Sequence, residues 1–440
     1  MSIPVDLLIH ARWVIAMAPG NQVLEDHAVA IAQGRVVDVL PALHASDRYT
    51  PARSFRLESH VLLPGLINLH THAAMSMMRG LADDLPLMEW LNRHIWPAEA
   101  QHVTPDFVYD GTLLACAEML KGGVTCFNDM YFYPEEAARA TLDSGMRAGI
   151  GIICIDFPTR YAVDAQDYLR KGLAARDRYI GEPRLSFCLA PHAPYTVSDR
   201  HFELILTYAN ELDLPIHMHL HETADEIKES LTRFGVRPVE RLRRLGLICS
   251  NLIAVHAVHL EPEEIDLLAH HGASVAHCPS SNLKLASGIA PVTRFVERKL
   301  NVGLGTDGAA SNNRLDLFEE MRLAALLAKA DSMQANSIPA YTALHMATLG
   351  GARALGLDHE LGSIEAGKLA DLCAVDLNHL ELAPVYHPVS HVVYAASRNH
   401  VSHVWVAGEL KLDQGQLVGA DEERLRANAR AWQLRLADQA

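Results

Sequence analysis

Two histidines one residue apart, His70-Thr-His72, close an apolar run that follows Pro64-Gly65. On a β-strand, residues two apart face the same side, so both imidazoles can grip one cation. A second run reads Pro215-Ile-His217-Met-His219-Leu-His221-Glu222, which puts three histidines on one face with a carboxylate directly after them. Spacing alone does not choose a ligand among His217, His219 and His221. A third run ends Ala254-Val-His256, and a fourth ends Gly303-Leu-Gly-Thr-Asp307-Gly. Imidazole and carboxylate ligands with an open coordination position suit Zn²⁺ or Fe²⁺. Such a metal lowers the pKa of its bound water towards neutrality and supplies a hydroxide nucleophile. A nearby glutamate, here Glu222, is then placed to carry protons to a leaving group. Satisfied core histidines would account for any one of these run ends, but poorly for all of them together.

Side chains from four run ends meet only if the runs lie side by side and point the same way. From about residue 61 to 357, strand-like apolar runs alternate with helix-like segments, the pattern of a parallel sheet with crossover helices. The strand candidates are residues 62–69, 124–128, 149–155, 185–190, 216–221, 252–256, 274–277 and 302–306. Eight such units in this length favour a closed (β/α)8 barrel of the TIM type, whose catalytic groups sit at the C-terminal ends of the strands. An open doubly wound sheet fits less well, because the first strand lacks a Gly-x-Gly-x-x-Gly turn. Residues 5–58 read as short strands with a hairpin turn at Gln33-Gly-Arg35. Residues 370–375 and 401–407 have the same texture, so the two ends of the chain are expected to build one β-domain.

Composition agrees with a folded enzyme-sized chain. There are 440 residues, 49 % hydrophobic and 21 % charged, which excludes intrinsic disorder and a fibrous fold. The formal net charge of −15 offers no positive field to a phosphate backbone or an anionic membrane. No apolar run approaches the roughly 20 residues of a spanning helix, and the first residues lack a cationic segment before an apolar one, so the chain is read as cytoplasmic. The seven cysteines include no Cys-x-x-Cys pair and are expected to be reduced and mostly buried. The 25 histidines, several at the ends of apolar runs, point towards metal or proton chemistry.

His70-Thr-His72, His219, His256 and Asp307 resemble the amidohydrolase superfamily, over nearly the whole chain. More narrowly, Arg79-Gly-Leu-Ala-Asp-Asp84, Leu87-Met-Glu-Trp90-Leu, Trp96-Pro-Ala-Glu99, Pro191-His192-Ala-Pro-Tyr195, Ser281-Asn-Leu-Lys-Leu285 and Gly305-Thr-Asp-Gly-Ala-Ala-Ser-Asn312 look like 5-methylthioadenosine/S-adenosylhomocysteine deaminases. The resemblance implies one divalent metal, zinc first with iron or manganese as alternatives, held by His70, His72, His219 and Asp307. It also implies that Glu222 protonates the purine ring, His256 orients the attacking water and Asp307 accepts its proton. Glu99 would take the ribose hydroxyls, His192 would contact the nucleoside and Trp90 would line the base pocket. The implied layout is a composite β-sandwich domain of residues 1–59 with 370–420, a metal-dependent barrel of residues 60–369, and a C-terminal helix of residues 421–440.

The arginine that would meet an amino-acid tail lies in a variable stretch. Arg160 is assigned, with Arg147 as competitor. His221 is read either as a residue behind the ligands or as a solvated rim histidine, Asp129 as a cap, and His102, His201, His270, His271 and His277 as structural or exposed. The expected activity is hydrolytic deamination of adenine nucleosides, such as 5′-methylthioadenosine, S-adenosylhomocysteine and adenosine, to the inosine analogue and ammonia. The alternative is a guanine-type deaminase or an s-triazine hydrolase with the same metal site. The expected partner is a small nucleoside, with no nucleic acid and no membrane, and the chain is expected to be a homo-oligomer.

Overall fold

The computed structural model describes residues 2–18 and 22–437. Eight parallel strands form a barrel: β1 (Leu66–Thr71), β2 (Val124–Asp129), β3 (Arg147–Cys154), β4 (Leu185–Pro191), β5 (Ile216–Leu220), β6 (Leu252–His256), β7 (Ser274–His277) and β8 (Asn301–Leu304). Neighbours in sequence are neighbours in the sheet. The circle closes where β8 runs back beside β1. Asn68 and Thr306 exchange two hydrogen bonds there, of 2.8 and 2.9 Å. Just beyond, the Asp307 N–H donates to the His70 carbonyl at 3.0 Å. A Cβ on Gly305 would sit 2.8 Å from the Cβ and N of His70, so only glycine lets these two chain segments meet.

The crossover helices start and stop where local chemistry dictates. Helix Pro105–Lys121 opens on Thr104, whose hydroxyl accepts the Phe107 N–H, with proline in the first turn. Helix Ala224–Phe234 opens on Thr223, which accepts the Glu226 N–H, and stops at Gly235 in the left-handed region. The C-terminal helix Glu422–Ala437 lies on helix Pro105–Lys121: the Trp432 indole N–H donates to Asp110 at 2.8 Å and its ring meets Phe107 edge-on.

Both ends of the chain build a second, mixed sheet of eight strands. Its order is Gln416–Leu417, Glu409–Asp413, Val401–Val406, Leu372–Asp376, Tyr49–Pro64, Ile3–Ile15, Val23–Ala32 and Arg35–Pro41. The sheet curls until its two halves share one core, in which Leu7, Ile9, Ile31 and Val36 pack with Leu372, Ala374 and Trp405. The hairpin expected at Gln33-Gly-Arg35 is present, with Gln33 and Gly34 both at positive φ, as a two-residue turn requires. Under the barrel, Arg147 and Asp371 form an ion pair of 3.3 Å with both side chains almost fully buried, which ties the foot of β3 to the terminal sheet.

Some expected strand limits shift. The run expected at 62–69 is two strands: residues 61–64 pair with Leu372–Val375 in the terminal sheet, and the barrel strand starts at Leu66. Apolar character is continuous across Gly65, so sequence alone did not reveal the change of sheet. The fifth strand stops at Leu220 rather than 221, because His221 turns into the left-handed region at φ 54°. Among the described residues no helix is long and apolar enough to cross a membrane.

Candidate active site

The four run ends singled out in the sequence meet at the C-terminal mouth of the barrel. His70, His72, His219 and Asp307 each turn one ligand atom into a cluster in which all four atoms lie within 4.8 Å of one another. The Nε2 atoms of His70 and His72 are 3.3 and 3.2 Å from Asp307 Oδ1, and His219 Nε2 is 3.3 Å from His70 Nε2. Two ligands each about 2.0–2.1 Å from a tetrahedral ion would be roughly 3.3–3.4 Å apart, so these spacings fit one small cation. The hydrogen bonding fits as well. His72 and His219 each donate Nδ1–H to a backbone carbonyl, of Met130 and His192, which commits Nδ1 and turns Nε2 towards the cluster as the atom that would ligate. Asp307 Oδ2 accepts from the hydroxyls of Ser281 (2.6 Å) and Ser311 (2.8 Å), which holds the carboxylate with Oδ1 towards the imidazoles. Although burial opposes its charge, His70 and His72 hold the Asp307 carboxyl well below the ordinary range.

Glu222 and His256 stand beside this cluster. His256 donates Nδ1–H to Asn282 Oδ1 at 2.8 Å, and its Nε2 is 3.8 Å from Glu222 Oε2. Burial pushes the Glu222 carboxyl above its ordinary pKa. Three of the strand ends turn through left-handed backbone: His221 at φ 54°, His256 at 69° and Asp307 at 62°. Such non-glycine turns are uncommon and cluster at functional sites. The turn carrying Glu222 is braced by Glu226, whose two carboxylate oxygens accept the N–H groups of His221 (2.9 Å) and Glu222 (2.8 Å).

A cavity open to solvent lies over these groups. Its lining includes Trp90, Glu99, Tyr131 and His192 as well as Glu222, His256 and Asp307. Glu99 accepts the Tyr131 hydroxyl at 2.9 Å, and burial, working against that hydrogen bond, brings its carboxyl up to about 7. His192 is neutral, its pKa pulled down to about 3 chiefly by burial. Arg160 lines an adjoining chamber that shares Trp96, Glu99, Phe132 and Ile155 with the main cavity, and its guanidinium donates to the Gln101 carbonyl.

The remaining sequence candidates fall outside the cavity. Arg147 is at the opposite end of the barrel in its ion pair with Asp371, so it cannot compete with Arg160. His217 is not in the ligand cluster. His221 is fully buried, accepting the Val239 N–H on Nε2 with Nδ1 3.2 Å from the His259 carbonyl; this removes the solvated-rim reading. Asp129 is a cap, accepting the Ala73 N–H at 2.8 Å. Sequence reasoning did not single out Tyr131, Ser281, Asn282, Ser311 or Glu226 for a role. Glu226 carried a local signal, the Thr-x-x-Glu spacing of a helix start, and Ser281, Asn282 and Ser311 lay in motifs that carry the family resemblance without a role being attached to them. A second histidine–carboxylate group, His379, Glu381 and His400, also has ligand atoms close together. There the Ser397 N–H donates to His400 Nδ1, so Nε2 carries the proton and donates to Glu381 at 3.1 Å, which makes the group a hydrogen-bonded cap.

Comparison with known proteins gives the same picture. Residues 61–411 match the amidohydrolase family. The 5-methylthioadenosine/S-adenosylhomocysteine deaminase of Saccharophagus degradans is 45 % identical over 99 % of this chain and 98 % of its own. An adenosine deaminase from Xanthomonas campestris, solved with bound zinc, is 49 % identical and superposes over 100 % of both chains with a TM-score of 0.98. The atrazine chlorohydrolase of Arthrobacter aurescens, complexed with zinc, is 26 % identical, with a TM-score of 0.90 over 97 % of this chain and 99 % of its own. With the barrel, its histidine–aspartate cluster and this likeness over the full length, the chain belongs to the amidohydrolase family.

Proposed function

We propose that this chain is a metal-dependent hydrolytic deaminase of adenine nucleosides, taking 5′-methylthioadenosine and S-adenosylhomocysteine, with adenosine as the smallest member of the class. The observation that carries the reading is one cavity in which Glu222, His256 and three members of the ligand cluster, His72, His219 and Asp307, share a space with Glu99 and Trp90, the fourth ligand, His70, lying buried behind them. The names of the relatives at 45 % identity support it. The first chemistry suits attack at purine carbon 6. The second suits a ribose and a flat base.

A divalent ion held by His70, His72, His219 and Asp307, zinc first and iron(II) or manganese as alternatives, supplies Lewis acidity and a water that ionises near neutral pH. Asp307, fixed by its two serine partners, takes the proton of the attacking water. His256, with Nδ1 committed to Asn282, presents Nε2 to orient that water. Glu222, whose burial favours the protonated form, gives a proton to ring nitrogen 1 as carbon 6 is attacked, and so relieves charge developing on the ring. The water oxygen stays on carbon 6, Asp307 passes the proton it took to the amino nitrogen, which leaves as ammonia, and the hydroxyl proton released as the carbon–oxygen double bond forms returns to Glu222. Glu99 accepts the ribose hydroxyls, Trp90 and His192 enclose the nucleoside, and Arg160 meets a carboxylate-bearing tail from the adjoining chamber.

The test is a side-by-side kinetic panel on zinc-loaded protein: 5′-methylthioadenosine, S-adenosylhomocysteine, adenosine, guanine and a chlorotriazine, with ammonia release as readout for the amines. The nucleosides are expected to lead, and Glu222→Gln to lose about 10²- to 10⁴-fold in rate while keeping its metal. If guanine or the chlorotriazine is the best substrate, the nucleoside reading fails. Near-normal turnover by metal-replete Glu222→Gln would remove Glu222 from its role.

A further inference from the structure

His72 and His219 have their tautomers set by groups that can only accept, the carbonyls of Met130 and His192. His70 is different. Its Nδ1 lies 3.0 Å from Nε2 of His217, another imidazole, which can accept or donate. His217 is fully buried on β5, and among the described residues its own Nδ1 has no hydrogen-bond partner. Two neutral arrangements therefore satisfy the contact. In one, His217 donates Nε2–H to His70 Nδ1, and His70 carries its proton on Nε2, pointed at Asp307 Oδ1 and His219 Nε2, each 3.3 Å away. In the other, His70 donates Nδ1–H to His217 and leaves its Nε2 bare, while the His217 proton sits on the partnerless Nδ1. Both hold two ring protons, so passing between them changes no charge. Only the second offers a third lone pair to a cation.

We propose that His217 is a positioning residue for the metal: by accepting the Nδ1–H of His70 it selects the tautomer that can ligate, and in the metal-free protein the pair reverses its donor and acceptor. The proposal rests on the metal-dependent reading above. His70 is thereby the one histidine of the cluster whose readiness to bind is decided by a neighbouring side chain rather than by the backbone. A ligand histidine that loses such a partner typically costs the site about 10–100-fold in metal affinity.

The experiment measures zinc affinity by chelator competition on the full chain for the unaltered protein, His217→Leu and His217→Gln. It is paired with ¹⁵N-resolved imidazole spectra of the unaltered protein with and without zinc. Leucine, which cannot accept, should weaken zinc binding about 10–100-fold, whereas glutamine, whose carboxamide oxygen can accept, should keep it within about threefold. The spectra should place protons on Nδ1 of both His70 and His217 with zinc, and on Nε2 of both without it. A folded His217→Leu protein that binds zinc within twofold of the unaltered chain overturns the proposal, as does a proton on His217 Nε2 in the zinc-loaded state; the spectra decide even if the leucine variant does not fold. A role confined to packing would lower the unfolding temperature of the metal-free variants and leave zinc affinity unmoved. If the unaltered protein binds no zinc, iron(II) or manganese, it is the metal-dependent reading that fails.

Discussion

Glu99→Gln removes one charge from the wall opposite the metal cluster and leaves the shape of the side chain. In the structure Oε1 of Glu99 already accepts the Tyr131 hydroxyl, so substrate hydroxyls compete for Oε2 and the remaining lone pair. A hydrogen bond to a charged acceptor contributes about 1.5–3 kcal/mol and one to a neutral acceptor about 0.5–1.5, so loss of the charge should cost about 1 kcal/mol for each of the two ribose hydroxyls, roughly 2 kcal/mol together or about 30-fold in kcat/KM. Because burial brings the carboxyl up to about 7, the unaltered protein should show a matching pH limb. The ionised fraction rises from about a tenth at pH 6 to about nine tenths at pH 8, and KM for nucleosides should fall about tenfold over that range. The variant should lack the limb.

Stability must move the other way. The folded protein holds the Glu99 proton more tightly than the unfolded chain, whose carboxyl titrates near 4.5, so this contribution is complete below that value and is lost as pH rises through about 7. The loss amounts to as much as ~3 kcal/mol. Glutamine carries no such penalty, so Glu99→Gln should gain stability over the unaltered protein between about pH 5 and pH 8, measured by urea unfolding at saturating metal. Two findings together would refute the reasoning: a KM for nucleosides that is flat over this range in the unaltered protein, and a stability difference that stays constant with pH.

Two further outcomes are expected. Arg160→Ala should lower kcat/KM for S-adenosylhomocysteine about 10- to 100-fold, the order of one charge-assisted contact, and leave 5′-methylthioadenosine within about twofold; an equal loss on both would take Arg160 away from the tail. Asp371→Ala leaves Arg147 buried without its carboxylate and should destabilise the protein by about 3–5 kcal/mol in urea titrations, while metal content and turnover of the folded fraction persist; a change below about 1 kcal/mol would show that water or another acceptor takes over.

The sequence by itself determined which run ends supply the candidates for the ligand cluster and the scaffold that brings them together. Period-two spacing put His70 with His72, and His217 with His219, on shared faces, and the alternation of apolar runs with helical segments set those faces in one parallel barrel. These are local properties, repeated along the chain, and each can be read within a few residues. What only the tertiary structure decided depends on contacts between distant segments. His219 rather than His217 faces Asp307, because the ring of His70 stands between His217 and the other ligands. Arg147, an equal of Arg160 by residue type, is committed to Asp371, 224 positions away, at the other end of the barrel. Tyr131 on Glu99, Asn282 on His256, and Ser281 with Ser311 on Asp307 join different loops, and no spacing in the chain announces them. Folding brings those loops to one rim and removes water from it, so each buried polar group must find its partner across the rim rather than along the chain.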